Sequence, residues 1–254
     1  MIDTHCHLSD KRFDKDRRFV FDRAHQVGVT HFVEIAYAPG IWERGFALAA
    51  EHPNLFLALG VHPNEAGKVP MDALPALRSH LGHARVVAIG EIGMDFFRDY
   101  APREAQEQWF RVQLALADEF GLPVVIHQRS ALEDVLGILE ETRPAAGGVL
   151  HCFDQDTAVV ERARVLGFKL GLGGVLTYGH AELDEAIRTA PEDMLLLETD
   201  APYLEPEPRS LKRNEPSLLP RVVRRLCELR GWTPQQALEI TRRNTRELFR
   251  LPIG

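Results

Sequence analysis

The sequence predicts a (β/α)8 barrel. Eight short apolar runs alternate with stretches of helical spacing, and successive runs begin 20 to 37 residues apart. Several runs, such as residues 86–89 and 123–126, are apolar without alternation, as expected for strands covered on both faces of a parallel sheet. Eight such units in 254 residues fit one closed barrel, which takes roughly 250 residues. The sequence lacks the Gly-rich dinucleotide fingerprint and the phosphate-loop motif that would favour the open doubly wound alternative.

The elements follow from these runs in order. The predicted strands are residues 1–4, 31–36, 55–61, 85–90, 122–126, 147–150, 167–172 and 194–199. Apolar stripes at helical spacing predict helices near residues 19–27, 42–49, 74–81, 103–120, 132–141, 157–166, 181–190, 218–230 and 234–249. Thr233 is the expected N-cap of the last helix, with Pro234 at its first position. The chain has no Pro-, Gly- or Ser-rich linker, so one domain over residues 1–254 is expected.

Composition narrows the class of protein. The apolar fraction of 45% is that of a globular core, and no stretch approaches the roughly 20 apolar residues of a membrane span. Three cysteines without a Cys-x-x-Cys pattern suit a reducing compartment, and polar residues stand where a signal peptide needs an apolar run. We therefore expect a cytoplasmic protein. A net charge of −7 argues against a surface that coats nucleic acid, but not against a substrate with a few phosphates held through divalent cations.

Six of the eight predicted strands end in histidine or a carboxylate. In a barrel these ends converge on one rim, where the chemistry of such folds lies. The residues are His5 and His7 after strand one, His62 after strand three, Glu91 after strand four, His127 after strand five, His151 after strand six, and Glu198 and Asp200 after strand eight. Because residues two apart on a strand face one way, His5 and His7 form half of a metal site.

The predicted ligand set is His5, His7, Glu91, His127, His151 and Asp200. Four imidazoles and two carboxylates exceed what one ion with an open position uses, so two ions are expected. Glu91 is the expected bridge, with His5, His7 and Asp200 on one ion and His127 and His151 on the other. Nitrogen and oxygen ligands suit Zn, Mn or Mg. Each of these residues taken alone also has a structural explanation. His5 and His7 would be exposed histidines, and His127 and His151 would be hydrogen-bonded histidines of the core. Asp200 would cap a helix, and a buried Glu91 would need an ion pair with Arg98 or Arg129.

Several segments resemble the TatD family of metal-dependent deoxyribonucleases. They are the segments 2–8 (IDTHCHL), 90–95 (GEIGMD), 123–127 (PVVIH), 151–153 (HCF), 198–204 (ETDAPYL) and 212–216 (KRNEP). The resemblance implies an amidohydrolase-type barrel with two or three divalent ions and removal of nucleotides from the 3′ end of DNA, with some members acting at abasic sites. It places metal ligands at the same six residues, a further acidic residue at Glu198 and a substrate-side histidine at His62. Asp154-Gln155 and Ser210-Leu211 depart from the family pattern in predicted loops, which leaves substrate preference open.

The resulting hypothesis is phosphodiester hydrolysis by a metal-activated water. Asp200 is expected to accept the proton of the nucleophile, with Glu91 and Glu198 as further catalytic carboxylates, and His62 and Arg129 to hold the phosphate. Lys212, Arg213 and Asn214 form either a phosphate site or a solvated loop. Phe96, Phe97 and Tyr203 are expected to stack a terminal base, with core packing as the alternative for the two phenylalanines. The expected partner is a single-stranded DNA 3′ end, with no membrane and no obligate protein partner.

Two rival functions stay open on the sequence. The same metal pair would activate water for a carbonyl ester or amide, such as an aminoacyl-tRNA bond. A non-catalytic barrel that only binds nucleic acid or a protein would instead tolerate replacement of Glu91 without any measurable change.

Overall fold

The computed structural model describes residues 1–209 and 213–252. Its strands are β1 (Ile2–Cys6), β2 (His31–Ala36), β3 (Leu55–Leu59), β4 (Val86–Asp95), β5 (Val124–Arg129), β6 (Gly148–Leu150), β7 (Phe168–Leu172) and β8 (Leu195–Leu197). Its α-helices are α1 (Arg17–Gln26), α2 (Pro39–Glu51), α3 (Leu74–His80), α4 (Arg103–Phe120), α5 (Leu132–Thr142), α6 (Thr157–Val165), α7 (Ala181–Thr189), α8 (Leu219–Arg230) and α9 (Pro234–Phe249).

The eight strands form one sheet in sequence order from β1 to β8. Each strand pair whose register is defined is parallel, and β1 also meets the segment after β8 through a bridge between Cys6 and Ala201. Helices follow the strands in alternation. This confirms the predicted (β/α)8 barrel.

Two compact units make up the chain. The first combines Met1–Glu34 with Cys152–Gly254, and the second is Ile35–His151. The buried apolar residues of the first unit lie on β7, β8, β1 and the start of β2. Those of the second unit lie on β3 to β6. The single-domain interpretation stays a prediction.

Five predicted strand ends were wrong. β1 continues to Cys6 and β5 to Arg129, past the predicted ends at residues 4 and 126, so His5 and His127 lie within strands. The other three errors also bear on site residues. β4 does not stop near Glu91 but continues to Asp95, because the backbone keeps its pairing with β5 through an irregularity between Gly90 and Ile92. β3 ends at Leu59, so His62 lies beyond the strand. β8 ends at Leu197, so Glu198 lies beyond the strand that was predicted to include it.

The last helix begins as predicted. The Thr233 side chain accepts a hydrogen bond from the backbone of Gln236, whose side chain accepts one from the Thr233 N–H, a capping box. Pro234 occupies the first helical position, where its missing N–H costs nothing. The described residues contain no helix long and apolar enough to cross a membrane.

Candidate metal centre

His5, His7 and Asp200 come together in the first unit. His5 Nε2 lies 3.6 Å and His7 Nε2 3.3 Å from Asp200 Oδ1, and the three ligand atoms lie within 4.8 Å of one another. Donors that share one cation at bond lengths of about 2.1 Å are separated by roughly 3.0–3.5 Å. The spacing and the donor types therefore fit a divalent cation, and we name these three residues cluster 1.

Asp200 reaches cluster 1 because the backbone turns sharply after β8. Its φ of 57° lies in the left-handed region, which aspartate tolerates better than most residues. The Asp200 N–H donates to the His5 carbonyl at 2.8 Å, and the His7 N–H donates to the Ala201 carbonyl at 2.8 Å. These two hydrogen bonds fix the position of the carboxylate along the histidine segment.

A buried carboxylate, Asp3, ties the same two segments together. Its Oδ1 accepts a hydrogen bond from the Thr199 N–H at 2.9 Å, and its Oδ2 accepts one from the Thr199 hydroxyl at 2.6 Å. Burial raises the pKa of Asp3 to about 7, although the hydrogen bonds from Thr199 oppose the shift. Sequence reasoning missed Asp3. The available signal was its position, because Asp3 lies two residues before His5 and therefore on the same strand face as His5 and His7.

Glu34 holds the segment that follows the two histidines. It is fully buried on β2, where its Oε2 accepts the Leu8 N–H at 2.6 Å and its Oε1 accepts the Ser9 N–H at 3.1 Å. Burial raises the pKa of Glu34, and the hydrogen bonds from Ser9 and Leu8 counteract the rise. Glu34 was recognisable in the sequence as a single acidic residue inside an apolar strand. A buried carboxylate needs hydrogen-bond donors or a positive charge beside it, so its presence there indicates a specific contact.

Glu198, predicted as a further acidic site residue, is 1% exposed. Its Oε1 accepts the Cys152 N–H at 2.7 Å. A Cβ atom at position 171 would lie 2.1 Å from Glu198 Oε2, so β7 carries glycine where the carboxylate approaches its backbone. The predicted catalytic role of Glu198 stays a prediction.

Glu91 is the centre of a second group, in the second unit. Its Oε1 lies 2.7 Å from His127 Nδ1, 3.6 Å from His62 Nε2 and 3.8 Å from His151 Nε2. The ligand atoms of Glu91, His62 and His127 lie within 4.8 Å of one another, and we name these three residues cluster 2. His62, which the resemblance placed on the substrate side, therefore belongs to a group able to hold a cation.

Asp95 completes the surroundings of cluster 2 and was missed in the sequence. Its Oδ2 lies 3.1 Å from His127 Nε2, and its Oδ1 accepts the Phe97 and Arg98 N–H groups at 3.0 Å. A carboxylate on the outer nitrogen of a ligand histidine fixes the orientation and tautomer of the ring. Because β4 extends to residue 95, Glu91 and Asp95 share one strand face, a relation that the predicted strand end at residue 90 concealed.

His127 and Asp95 shift each other's ionisation. Burial lowers the pKa of His127, but its hydrogen bonds with Asp95 and Glu91 outweigh burial and raise the pKa to about 9. For Asp95, burial raises the pKa, whereas the hydrogen bonds from His127 and the Arg98 backbone lower it to about 2. Without a metal ion, the pair is therefore an imidazolium and a carboxylate at neutral pH.

The arginines considered as partners of Glu91 contact aromatic rings. Arg129, the last residue of β5, has its guanidinium 3.9 Å from the centroid of the Phe97 ring. Arg98 Nη1 donates to the Tyr100 hydroxyl at 3.2 Å. Phe97 is 60% exposed, so it is not a core residue, and with Arg129 it presents an aromatic face and a positive charge to solvent.

Tyr203 lies beside cluster 1. Its ring packs edge-on against His7 with centroids 5.7 Å apart, and the Arg12 guanidinium lies 4.2 Å from the centroid of the Tyr203 ring. The tyrosine is 44% exposed. It therefore offers a ring and an adjacent cation next to His7, and its predicted substrate contact stays a prediction.

Two of the three residues expected to form a phosphate site after strand eight, Arg213 and Asn214, make structural contacts. Arg213 donates to both carboxylate oxygens of Asp16 at 2.9 and 2.7 Å. Asn214 is 1% exposed and donates to the Thr199 and Tyr203 carbonyls at 2.7 and 2.6 Å. Lys212 lies outside the described residues, as does the Ser210-Leu211 departure. Asn214 thus braces the segment that carries Asp200, and the phosphate role of the three stays a prediction.

Comparisons with known proteins identify the family of this chain. Residues 2–250 match the family model described as TatD related DNase. The chain is 37% identical over 253 residues to YabD, an uncharacterized metal-dependent hydrolase of Bacillus subtilis, with 99% of each chain covered. It is 36% identical over 259 residues to the 3′-5′ ssDNA/RNA exonuclease TatD of Rahnella sp. (strain Y9602), which covers 99% of this chain and 98% of that protein.

A solved structure leads to the same family. The crystal structure of YjjV, a TatD homolog from Escherichia coli K12, matches with a TM-score of 0.94 and 35% identity, covering 99% of this chain and 98% of that one. Family model, relatives and structure each span nearly the whole chain. The protein therefore belongs to the family of TatD-related DNases and is a metal-dependent hydrolase.

Proposed function

We propose that this hydrolase is an exonuclease that removes nucleotides from the 3′ end of single-stranded DNA, with one divalent cation held in cluster 1 and one in cluster 2. The observation that carries the proposal is the pair of clusters. Each offers imidazole nitrogens and a carboxylate oxygen, which suit Zn or Mn, and Mg as a harder alternative. The name of the Rahnella relative at 36% identity supports a nucleic-acid substrate. The bridging role of Glu91 stays a prediction.

Bound divalent cations would supply Lewis acidity and a more acidic water. The protein's own residues would do the rest. Asp200 is 9% exposed beside His5 and His7, and its carboxylate would accept a proton from the attacking water. Arg129 supplies a positive charge to a phosphate, and Phe97 and Tyr203 supply ring faces to unpaired bases.

A 5′-labelled single-stranded oligonucleotide tests the activity directly. With Mg or Mn, we expect a ladder of products shortened from the 3′ end, and no ladder when the terminal linkages are phosphorothioates. Asp200→Asn and Glu91→Gln should each lower the rate by about 100-fold or more, since proton transfer and charge stabilisation contribute that much each. Asp22→Asn, at an exposed position of α1, is the matched control and should keep the wild-type rate.

A second substrate distinguishes the proposed nuclease from the rival hydrolase of a carbonyl ester or amide. A mischarged aminoacyl-tRNA incubated under the same conditions reports ester cleavage. Release of the amino acid without any shortening of the labelled DNA would overturn the nuclease proposal and favour a carbonyl substrate. A Glu91→Gln variant that keeps whichever activity the wild type shows would overturn the proposed metal site itself.

A further inference from the structure

Two glutamines of α4, Gln106 and Gln113, are almost completely buried, at 1% and 0% exposure. They interrupt a helix face whose other buried members are mostly apolar. Seven residues separate them, close to two helical turns, so both side chains leave the same face. A buried amide is unfavourable unless its donors and acceptor are satisfied, so two of them on one face call for a specific role.

Each glutamine pairs with both backbone groups of one residue. Gln113 Oε1 accepts the Val61 N–H at 2.6 Å, and its Nε2 donates to the Val61 carbonyl at 3.1 Å. Gln106 Oε1 accepts the Asp95 N–H at 2.8 Å, and its Nε2 donates to the Asp95 carbonyl at 3.2 Å. Each side chain therefore makes the pair of hydrogen bonds that a neighbouring strand would make.

The remaining amide hydrogens also have acceptors. Gln113 Nε2 donates to the Trp109 carbonyl at 3.0 Å, and Gln106 Nε2 donates to the Ala101 carbonyl at 2.9 Å. Both amides are thus satisfied by backbone partners alone, which defines their orientation.

The two partner residues adjoin cluster 2. β3 has ended at Leu59, and the backbone that leads to His62 keeps hydrogen bonds to the end of β2, from the Gly60 N–H to the Ala36 carbonyl at 3.1 Å and from the His62 N–H to the Tyr37 carbonyl at 3.0 Å. The N–H and carbonyl of Val61, the residue before His62, have Gln113 as their partner instead. Position 60 is glycine, and a Cβ atom there would lie 3.1 Å from Gln113 Oε1, a tight contact that glycine avoids.

At the second strand, Gln106 holds the residue whose side chain orients His127. Asp95 is the last residue of β4, and its carboxylate contacts His127 Nε2 at 3.1 Å. A shift of the Asp95 backbone would move that carboxylate and change the direction of the His127 ring, since the outer hydrogen bond sets the orientation of a ligand histidine.

We propose that Gln106 and Gln113 are positioning residues for cluster 2, Gln113 through Val61 to His62 and Gln106 through Asp95 to His127. This inference rests on the proposed metal site. The helix α4 would thus set the geometry of the ligands His62 and His127, because its two glutamines bond to backbone groups that no neighbouring strand pairs. Neither glutamine would touch the substrate or the cation.

The test compares Gln106→Met and Gln113→Met with Leu114→Ala in the intact chain. Methionine keeps the length of the side chain and removes its hydrogen bonds, while Leu114, 1% exposed on the same helix, gives a destabilising variant without a link to the cluster. Imidazole nitrogen shifts of the metal-free protein, measured by NMR, report the state of each histidine. Calorimetric titration with Mn²⁺ reports affinity.

We expect a crossed pattern. Gln113→Met should move the His62 signals and leave those of His127 unchanged, and Gln106→Met should do the reverse. Each should weaken Mn²⁺ binding by about 10-fold or more, the usual effect of removing support from a ligand. Leu114→Ala should lower Tm at least as much and leave the histidine signals and the Mn²⁺ affinity within twofold of wild type.

Unchanged histidine signals in both glutamine variants, or shifts that Leu114→Ala reproduces, would overturn the proposal. If a methionine variant does not fold, Gln113→Glu and Gln106→Glu keep the acceptor oxygen, lose the donors and should give the same crossed pattern with smaller shifts. The NMR arm is independent of metal. A wild-type protein that binds no Mn²⁺ would therefore refute the proposed metal site while leaving the positioning role to be judged on the histidine signals.

Discussion

Asp95 and His127 form a pair in which Asp95 Oδ2 lies 3.1 Å from His127 Nε2, while the opposite ring nitrogen, Nδ1, lies 2.7 Å from Glu91. The two carboxylates therefore occupy opposite ends of one imidazole. With the Asp95 pKa near 2, that carboxylate stays ionised and holds the proton on Nε2. Nδ1 is left as the ligand atom of the ring.

Asp95→Asn should weaken Mn²⁺ binding by about 10- to 100-fold, because the ring loses the charge that fixes its tautomer and raises its basicity. Calorimetric titration of wild type and variant measures the change. Asp72→Asn, an exposed aspartate of the same unit, is the control and should bind Mn²⁺ as wild type does. Equal affinities in wild type and Asp95→Asn would show that Asp95 does not orient a ligand.

Metal binding should release a proton. Since the pKa of His127 in the metal-free protein is about 9, the ring carries both protons at pH 7, and a ligand Nδ1 must lose one of them. The apparent Mn²⁺ affinity should therefore rise with pH up to about 9 and then level off. Calorimetry at pH 7 in buffers of different ionisation enthalpy measures the proton count, and a count of zero would contradict His127 ligation through Nδ1.

Phe97→Ala should raise KM for single-stranded DNA by about fivefold or more and change kcat little, because stacking of a base contributes about 1–3 kcal/mol to binding. Phe19→Ala supplies a matched control, since Phe19 and Phe97 are both 60% exposed. Initial rates across a range of oligonucleotide concentrations separate the two constants. An equal KM for both variants would remove Phe97 from the substrate-binding surface.

The ion pair between Glu215 and Arg23 should contribute stability that depends on pH. Arg23 donates to both Glu215 oxygens, at 2.8 and 2.7 Å. Burial opposes the shift, but these hydrogen bonds lower the pKa of Glu215 below its ordinary value. A lowered folded-state pKa means that the stabilisation is complete above the unfolded pKa of about 4.3 and is lost as pH falls through the folded value.

Glu215→Gln should accordingly lower the free energy of unfolding by about 1 kcal/mol at pH 7, because Arg23 is partly exposed, and by less at pH 3, below the unfolded pKa. Urea unfolding at both pH values measures the difference. Glu119→Gln removes a more exposed pair with Arg78 and should have a smaller effect at either pH. A Glu215→Gln effect that does not depend on pH would indicate packing and not charge.

The fold was predictable because the strands are apolar without alternation and the helices have regular stripes. Strand ends were harder to predict, and the error at the end of β4 concealed a site residue. Its last four residues keep the pairing with β5 past an irregular register, which no local pattern marks. Asp95 was missed for that reason alone, since its position relative to Glu91 becomes informative only once the strand reaches it.

The candidate ligands were recognisable because six strands are followed by a histidine or a carboxylate. The residues that support them were not, because Asp3, Glu34 and Gln113 bond to backbone groups far away in the chain. Such partners depend on tertiary packing and leave no spacing signature. Cluster membership depends on packing too, which is why the sequence put His62 with the substrate while the structure brings it next to Glu91.

The measurement that tests cation binding at each of the two clusters most directly is anomalous diffraction from crystals soaked in Mn²⁺. We expect one anomalous peak within about 2.3 Å of His5 Nε2, His7 Nε2 and Asp200 Oδ1, and a second at the same range from Glu91 and His127 Nδ1. Peaks elsewhere on the protein, with none at either cluster, would contradict the proposed metal centre.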